Sequence, residues 1–151
     1  MKHIACFALV VVLVFSLVPC VGNATETGEK VVYYLDDGSY IIETIIEMQS
    51  RASGTKTGSK VKDYYDSNGD LKWRATLSGT FTYTGLSSNC TSSSINVTIY
   101  DNSCYLVSKN ATKSGSTATG TATVGEKLLG ITVSKIPVTI ILSCDANGNL
   151  S

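Results

Sequence analysis

From Lys72 to Thr84 the chain alternates without a break. Trp73, Ala75, Leu77, Gly79, Phe81 and Tyr83 hold the odd positions, and Lys72, Arg74, Thr76, Ser78, Thr80, Thr82 and Thr84 the even ones. Successive side chains of a pleated strand point to opposite faces, so this period of two dictates a long strand with one buried face and one polar face. The polar face carries no carboxylate and no histidine, which makes the strand a spine for the fold rather than a seat of chemistry.

Other stretches repeat the pattern. Thr117–Val124 alternates threonine with Ala118, Gly120, Ala122 and Val124, and these small inward residues call for a bulky partner such as Trp73 or Phe81 opposite them. Ile136, Val138, Ile140, Leu142 and Cys144 share one parity while Ile131 and Val133 have the other, so the phase slips near Ser134–Lys135, the mark of a bulge. Pro137 lacks an amide donor and places that strand at a sheet edge. Ser94–Tyr100, Cys104–Thr112, Val61–Tyr65 and Lys30–Asp36 read as further strands. Tyr40–Met48 (YIIETIIEM) suits a helix face by spacing, but its isoleucines and its position after the Asp36–Ser39 turn favour a strand. Asn68-Gly69 between two β-like runs predicts a hairpin with a type I′ turn.

The sum is an all-β chain, an antiparallel β-sandwich or partly open barrel of about seven or eight strands. Residues 1–24 read as a signal peptide and 25–151 as a single β domain. That domain divides into an N-terminal hairpin over 25–50, a loop over 51–60 with no apolar periodicity, and the main sheets over 61–145.

The signal reading rests on Lys2 and His3, the apolar run Ile4–Val18, and small residues Gly22 and Ala24 before cleavage near Ala24. A lipid anchor on Cys20 is disfavoured, because Pro19 stands where such sites want a small residue. The expected location is therefore extracellular, with membrane contact only through the signal segment before cleavage. Cleavage removes His3, the only histidine, and with it every Ser-His-Asp triad, Cys-His pair and His-ligated zinc. The mature net charge is about −1 with scattered charges, which disfavours nucleic acid and anionic membrane surfaces. Cys90, Cys104 and Cys144 remain, and in an oxidising compartment two of them should pair. Loop entropy favours the longest loop by only about 1 kcal/mol and leaves the three pairings open.

YYLDDGSYII (Tyr33–Ile42), SRASGTKTGSK (Ser50–Lys60), YYDSNGDLKWRATLSGTFTYTG (Tyr64–Gly85), the Ser87–Ser94 loop and SCDANGNLS (Ser143–Ser151) resemble a family of small exported proteins of Gram-positive, often gut-dwelling, bacteria. The resemblance spans nearly the whole mature chain and implies context without an activity, ligand or catalytic residue. It implies a disulfide between Cys90 and Cys144, and leaves Cys104 as the odd thiol, buried or open to intermolecular pairing.

Several residue patterns compete as sites. Asp66–Leu71 and Asp145–Leu150 share the form D-x-N-G-[D/N]-L, but glycine falls at the fourth position and no bidentate glutamate follows, so turns outweigh calcium. The carboxylate pairs Asp36–Asp37 and Glu43/Glu47 are the sole acid–base option, and turn and surface roles account for both. Asn89, Asn96 and Asn110 begin glycosylation-type triplets, expected unmodified in a bacterial export. The threonine rows read as solvated strand faces. Of eight tyrosines, the doublets Tyr33–Tyr34 and Tyr64–Tyr65 must each split between faces. Tyr34 and Tyr65 are the candidate surface-binding aromatics, against cross-strand packing as the plainer role.

The functional expectation is a non-enzymatic module engaging an extracellular glycan or protein, with no catalytic residue, metal or cofactor. A secreted bacteriocin- or toxin-like effector is the alternative, and a carboxylate-based hydrolase the weakest reading.

Overall fold

A computed structural model describes residues 30–48 and 54–151, with the main chain of Ala24–Glu26. The expected signal segment, including His3 and Cys20, lies outside the described residues. The described chain is all-β, with nine antiparallel strands in two sheets. They are β1 (Ala24–Glu26), β2 (Val31–Tyr34), β3 (Tyr40–Met48), β4 (Thr55–Tyr65), β5 (Leu71–Tyr83), β6 (Ser88–Ile99), β7 (Cys104–Ser114), β8 (Thr117–Leu128) and β9 (Ile131–Ser143). One sheet runs β1-β3-β4-β5-β6, with β2 sharing the edge of β3 that β1 uses, and the other runs β7-β8-β9. Tyr40–Met48 is a strand, as its isoleucines favour.

The sheets form a sandwich in which the alternation of β5 decides what is inside. Trp73, Ala75, Leu77 and Phe81 are fully buried, facing Ala118, Ala122, Val124, Ile140 and Leu142 of the smaller sheet. At Gly120 the space is filled by a different partner from the one expected. A Cβ on Gly120 would lie 3.0 Å from Leu77 Cδ1 and 2.9 Å from Ile95 Cδ1, so aliphatic side chains fill this space. Trp73 instead stacks on Tyr64, with ring centroids 5.2 Å apart, and the Phe81 ring lies over Gly79. β9 is an edge strand, as Pro137 requires, and the phase slip is a bulge that leaves Val133 unpaired between Thr132 and Ser134.

The larger sheet overhangs the smaller one. Among the described residues, no Cα of β1–β3 lies within 8 Å of a Cα in β7–β9. Where the overhang begins, the inward face changes from apolar to charged. Register places Glu43 and Glu47 of β3 beside Lys62, Lys60 and Lys56 of β4. Lys60 and Lys62 reach Glu43 at 3.1 and 3.3 Å, and Lys56 pairs with Glu47. Lys62 also donates to the Thr139 carbonyl on the edge of β9, at 3.0 Å. A charged ladder beside an open strand edge blocks further pairing there.

This ladder explains one correction. The expected loop over 51–60 is strand from Thr55 onward. Lys56, Gly58 and Lys60 face the overhang, while Thr57 and Ser59 bond to Thr80 and Ser78 on β5. Neither face is apolar, so the strand shows no hydrophobic period. It also ties the expected N-terminal hairpin into the main sheet.

A second correction concerns the turns. The turns at Asp36–Ser39, Asp66–Asp70 and Asp145–Asn149 share one geometry, with positive φ only at Gly38, Gly69 and Gly148. Asp66 N donates to Asp70 O and Gly69 N to Asp66 O, and Asp145 and Gly148 repeat the pattern. This is a type I turn closed by a glycine bulge rather than the expected type I′ turn. The Asp66 carboxylate accepts the amides of Asn68 and Asp70, both at 2.9 Å, which holds the wider loop.

Candidate aromatic binding face

Register assembles a site that sequence spacing separates. Tyr34↔Tyr40 and Tyr40↔Tyr65 are directly opposed pairs, so the three side chains share one face across β2, β3 and β4. That face is the outer one, away from the core. Ring centroids are 5.8 Å apart for Tyr34–Tyr40, tilted by 44°, and 5.0 Å for Tyr40–Tyr65, nearly parallel. The parallel pair covers its own faces and presents edges and hydroxyls. Tyr34, 79 % exposed at the open edge of the sheet, is the ring with an accessible face. Tyr100 follows β6 at the same end and is half exposed. From β2 to β6 the face spans four strand spacings, roughly 19 Å.

Beside Tyr65, Arg74 grips Asp63 through two bonds, Nε–Oδ1 at 2.6 Å and Nη2–Oδ2 at 2.7 Å. The fork holds the guanidinium cationic, its pKa raised chiefly by these bonds. Burial pushes the Tyr65 phenol up, with Asp63 adding to it, so the hydroxyl stays a neutral donor. A hollow of about 190 Å³ lies along this part of the face, lined by Ile42, Thr44, Val61, Asp63, Tyr65 and Arg74. It is smaller than the roughly 300–1,000 Å³ that encloses a drug-sized ligand, so a ligand here lies on the sheet rather than inside it.

Both named tyrosines therefore fall on one face, and Tyr40, Asp63, Arg74 and Tyr100 join them without having been singled out. Parity along one strand shows which side a residue takes, but only pairing register shows which residues on different strands are neighbours. Tyr64 is the buried member of its doublet. Tyr33 is also exposed, on the opposite face, with the Lys62 ammonium 5.6 Å from its ring.

The remaining candidates sit elsewhere. Glu43 and Glu47 are engaged by lysines. Asp37 accepts the Ser39 amide at 2.9 Å and its hydroxyl at 2.5 Å, which lowers the pKa of its carboxyl. Asp66 and Asp145 spend their carboxylates on turn amides. Members of the threonine rows bond to hydroxyls on neighbouring strands, Thr80 to Thr57 at 3.3 Å and Thr117 to Ser143 at 3.2 Å.

The cysteines require a correction. Cys90, Cys104 and Cys144 are free thiols, all buried, and the expected Cys90–Cys144 bond is not formed. Each sulfur turns to a carbonyl instead, Cys90 to Ser92 at 3.2 Å and Cys144 to Asp145 at 3.5 Å. The two main chains nevertheless meet at one turn: Cys90 N donates to Gly115 O at 2.7 Å and Cys144 N to Ser116 O at 3.0 Å. Burial raises all three thiol pKa values. Cys104 packs in the core as a small hydrophobe.

Comparison of the chain with protein-family models, with curated proteins and with solved structures yields no match.

Proposed function

We propose that this is an exported, non-enzymatic binding module that engages a glycan along the outer face of its larger sheet. The observation that carries the reading is the Tyr34–Tyr40–Tyr65 row beside the Arg74–Asp63 fork. Sugar rings offer an apolar C–H face and a rim of hydroxyls. The Tyr34 ring supplies the stacking surface, and the tyrosine hydroxyls and the fork supply donors and acceptors along the rim. Export follows from the basic start, apolar run and small residues at Gly22 and Ala24.

Binding to a panel of immobilised polysaccharides tests the reading. One stacked ring is worth about 0.5–1.5 kcal/mol, so Tyr34→Ala should weaken binding by roughly 3- to 10-fold. Tyr33→Ala, on the opposite face, should leave it unchanged. Equal loss in both variants, or no polysaccharide binding by the unaltered protein, refutes the proposal.

A further inference from the structure

The β8–β9 hairpin ends in a conformation its sequence resists. Leu128 pairs with Ile131, so Leu129-Gly130 is a two-residue turn, and both residues have positive φ, 50° and 83°. This is the type I′ pattern, which favours asparagine, aspartate or glycine at its first position. Leucine is disfavoured there by the clash of its Cβ with the backbone. Leu129 is the only non-glycine residue of positive φ among those described, and it is 95 % exposed. A strained backbone position holding an apolar side chain that packs on nothing points to a partner outside the chain.

The surroundings say what kind. Register places Leu128 and Ile131 on one face of the hairpin, 65 % and 70 % exposed, with the unpaired Val133 close behind. The other face is amphipathic. Lys127 lies 4.5 Å above the Tyr105 ring, Tyr105 Oη and Thr132 Oγ1 are 2.7 Å apart, and Lys135 pairs opposite Gly125, across which the Tyr105 ring lies. An apolar apex with lysine and tyrosine at its shoulder matches the depth profile of a bilayer interface, where leucine enters the acyl boundary and lysine and tyrosine stay at the headgroups. From Lys127 to the Leu129 apex the hairpin extends about 7 Å, within the roughly 5–10 Å to which such apolar faces are buried.

We infer that the Leu128–Val133 hairpin apex inserts into the interface of an anionic lipid bilayer, with Lys127 and Lys135 against the headgroups. This goes beyond the glycan reading, uses a different element, and stands without it. The scattered charge of the linear sequence gives no sign of it, because only the hairpin brings Lys135 back alongside Lys127 and the leucines.

Vesicles of phosphatidylglycerol and phosphatidylcholine test the inference on identically prepared variants, so that anything residues 1–29 add is common to all. Leu129→Trp places a reporter at the apex, the other tryptophan being the buried Trp73. Its emission should shift to the blue on adding vesicles. Leu129→Asn should weaken vesicle binding on the order of 10- to 100-fold, the loss of one buried leucine, while thermal stability holds or rises because asparagine suits the turn. A merely structural leucine would lose stability instead. An unmoved Leu129→Trp emission overturns the inference, as does unchanged vesicle binding by Leu129→Asn. So does a self-association that Leu129→Asn abolishes in a protein that ignores vesicles.

Discussion

The contact between Gly120 and Leu77 is the most direct probe of how the two sheets meet. Leu77 is fully buried in β5, and Gly120 lies opposite it in β8. Leu77→Ala removes three carbons from a closed core and should cost about 3–4 kcal/mol, since the walls relax only partly. Gly120→Ala pushes a methyl to 3.0 Å from Leu77 Cδ1 and 2.9 Å from Ile95 Cδ1. Overpacking of this kind costs about 1–3 kcal/mol, offset by about 0.5–1 kcal/mol for removing a glycine from a strand interior. A net loss of about 1–2 kcal/mol is expected. In the double variant the Leu77 half of the crowding vanishes and the new methyl occupies part of the cavity, while the Ile95 contact persists. The double should therefore lie about 1 kcal/mol above the sum of the singles. Urea unfolding followed by circular dichroism, at constant m, measures all four proteins. Additivity within about 0.5 kcal/mol would mean that the two residues do not share a space, and the inter-sheet packing described here would be wrong.

Three further outcomes are expected. Lys72 bonds Asp101 at 2.6 Å and Asp66 at 3.2 Å; the first bond lowers the Asp101 carboxyl and raises the ammonium, while the Asp66 carboxyl is lowered chiefly by the Asp70 amide, with Lys72 adding to it. The carboxylate contribution is present above about pH 4 and lost as pH falls through the depressed values, and that of Lys72 is present below about pH 10 and lost as pH rises through its raised value. Asp101→Asn should flatten the acid limb of a stability–pH curve by about 1 kcal/mol or less, because the pair is only partly buried and still screened by solvent, and an unchanged limb would contradict this. Incubation with glutathione disulfide should join Cys90 to Cys144, two thiol protons and two electrons passing to two molecules of glutathione, and non-reducing peptide mapping would detect a contrary bridge to Cys104. Replacing Lys60 and Lys62 together by valine should promote aggregation in light scattering, since it strips the charge that guards the edge of β9; an unaltered scattering curve argues against that guard.

Much of the fold was legible along the chain. β5 and β8 announce their buried faces by period two, Pro137 announces an edge, and the slip of parity announces the bulge near Ser134. The first half of β4 was not legible, because its partners across the sheet are charges and hydroxyls rather than a core. The Asn68-Gly69 dipeptide alone does not specify its turn type, because the Asp66 carboxylate, by accepting two amides, selects a wider loop.

The sequence by itself determined an all-β chain and the inward residues of its long strands. Only the tertiary structure decided which strands lie side by side. Periodicity is a property of a few successive residues, whereas register and sheet order come from closing long loops against a shared core. That is why Tyr34, Tyr40 and Tyr65 form one row, why Leu77 rather than Trp73 fills the space before Gly120, and why Leu129 stands strained and bare at the end of a hairpin.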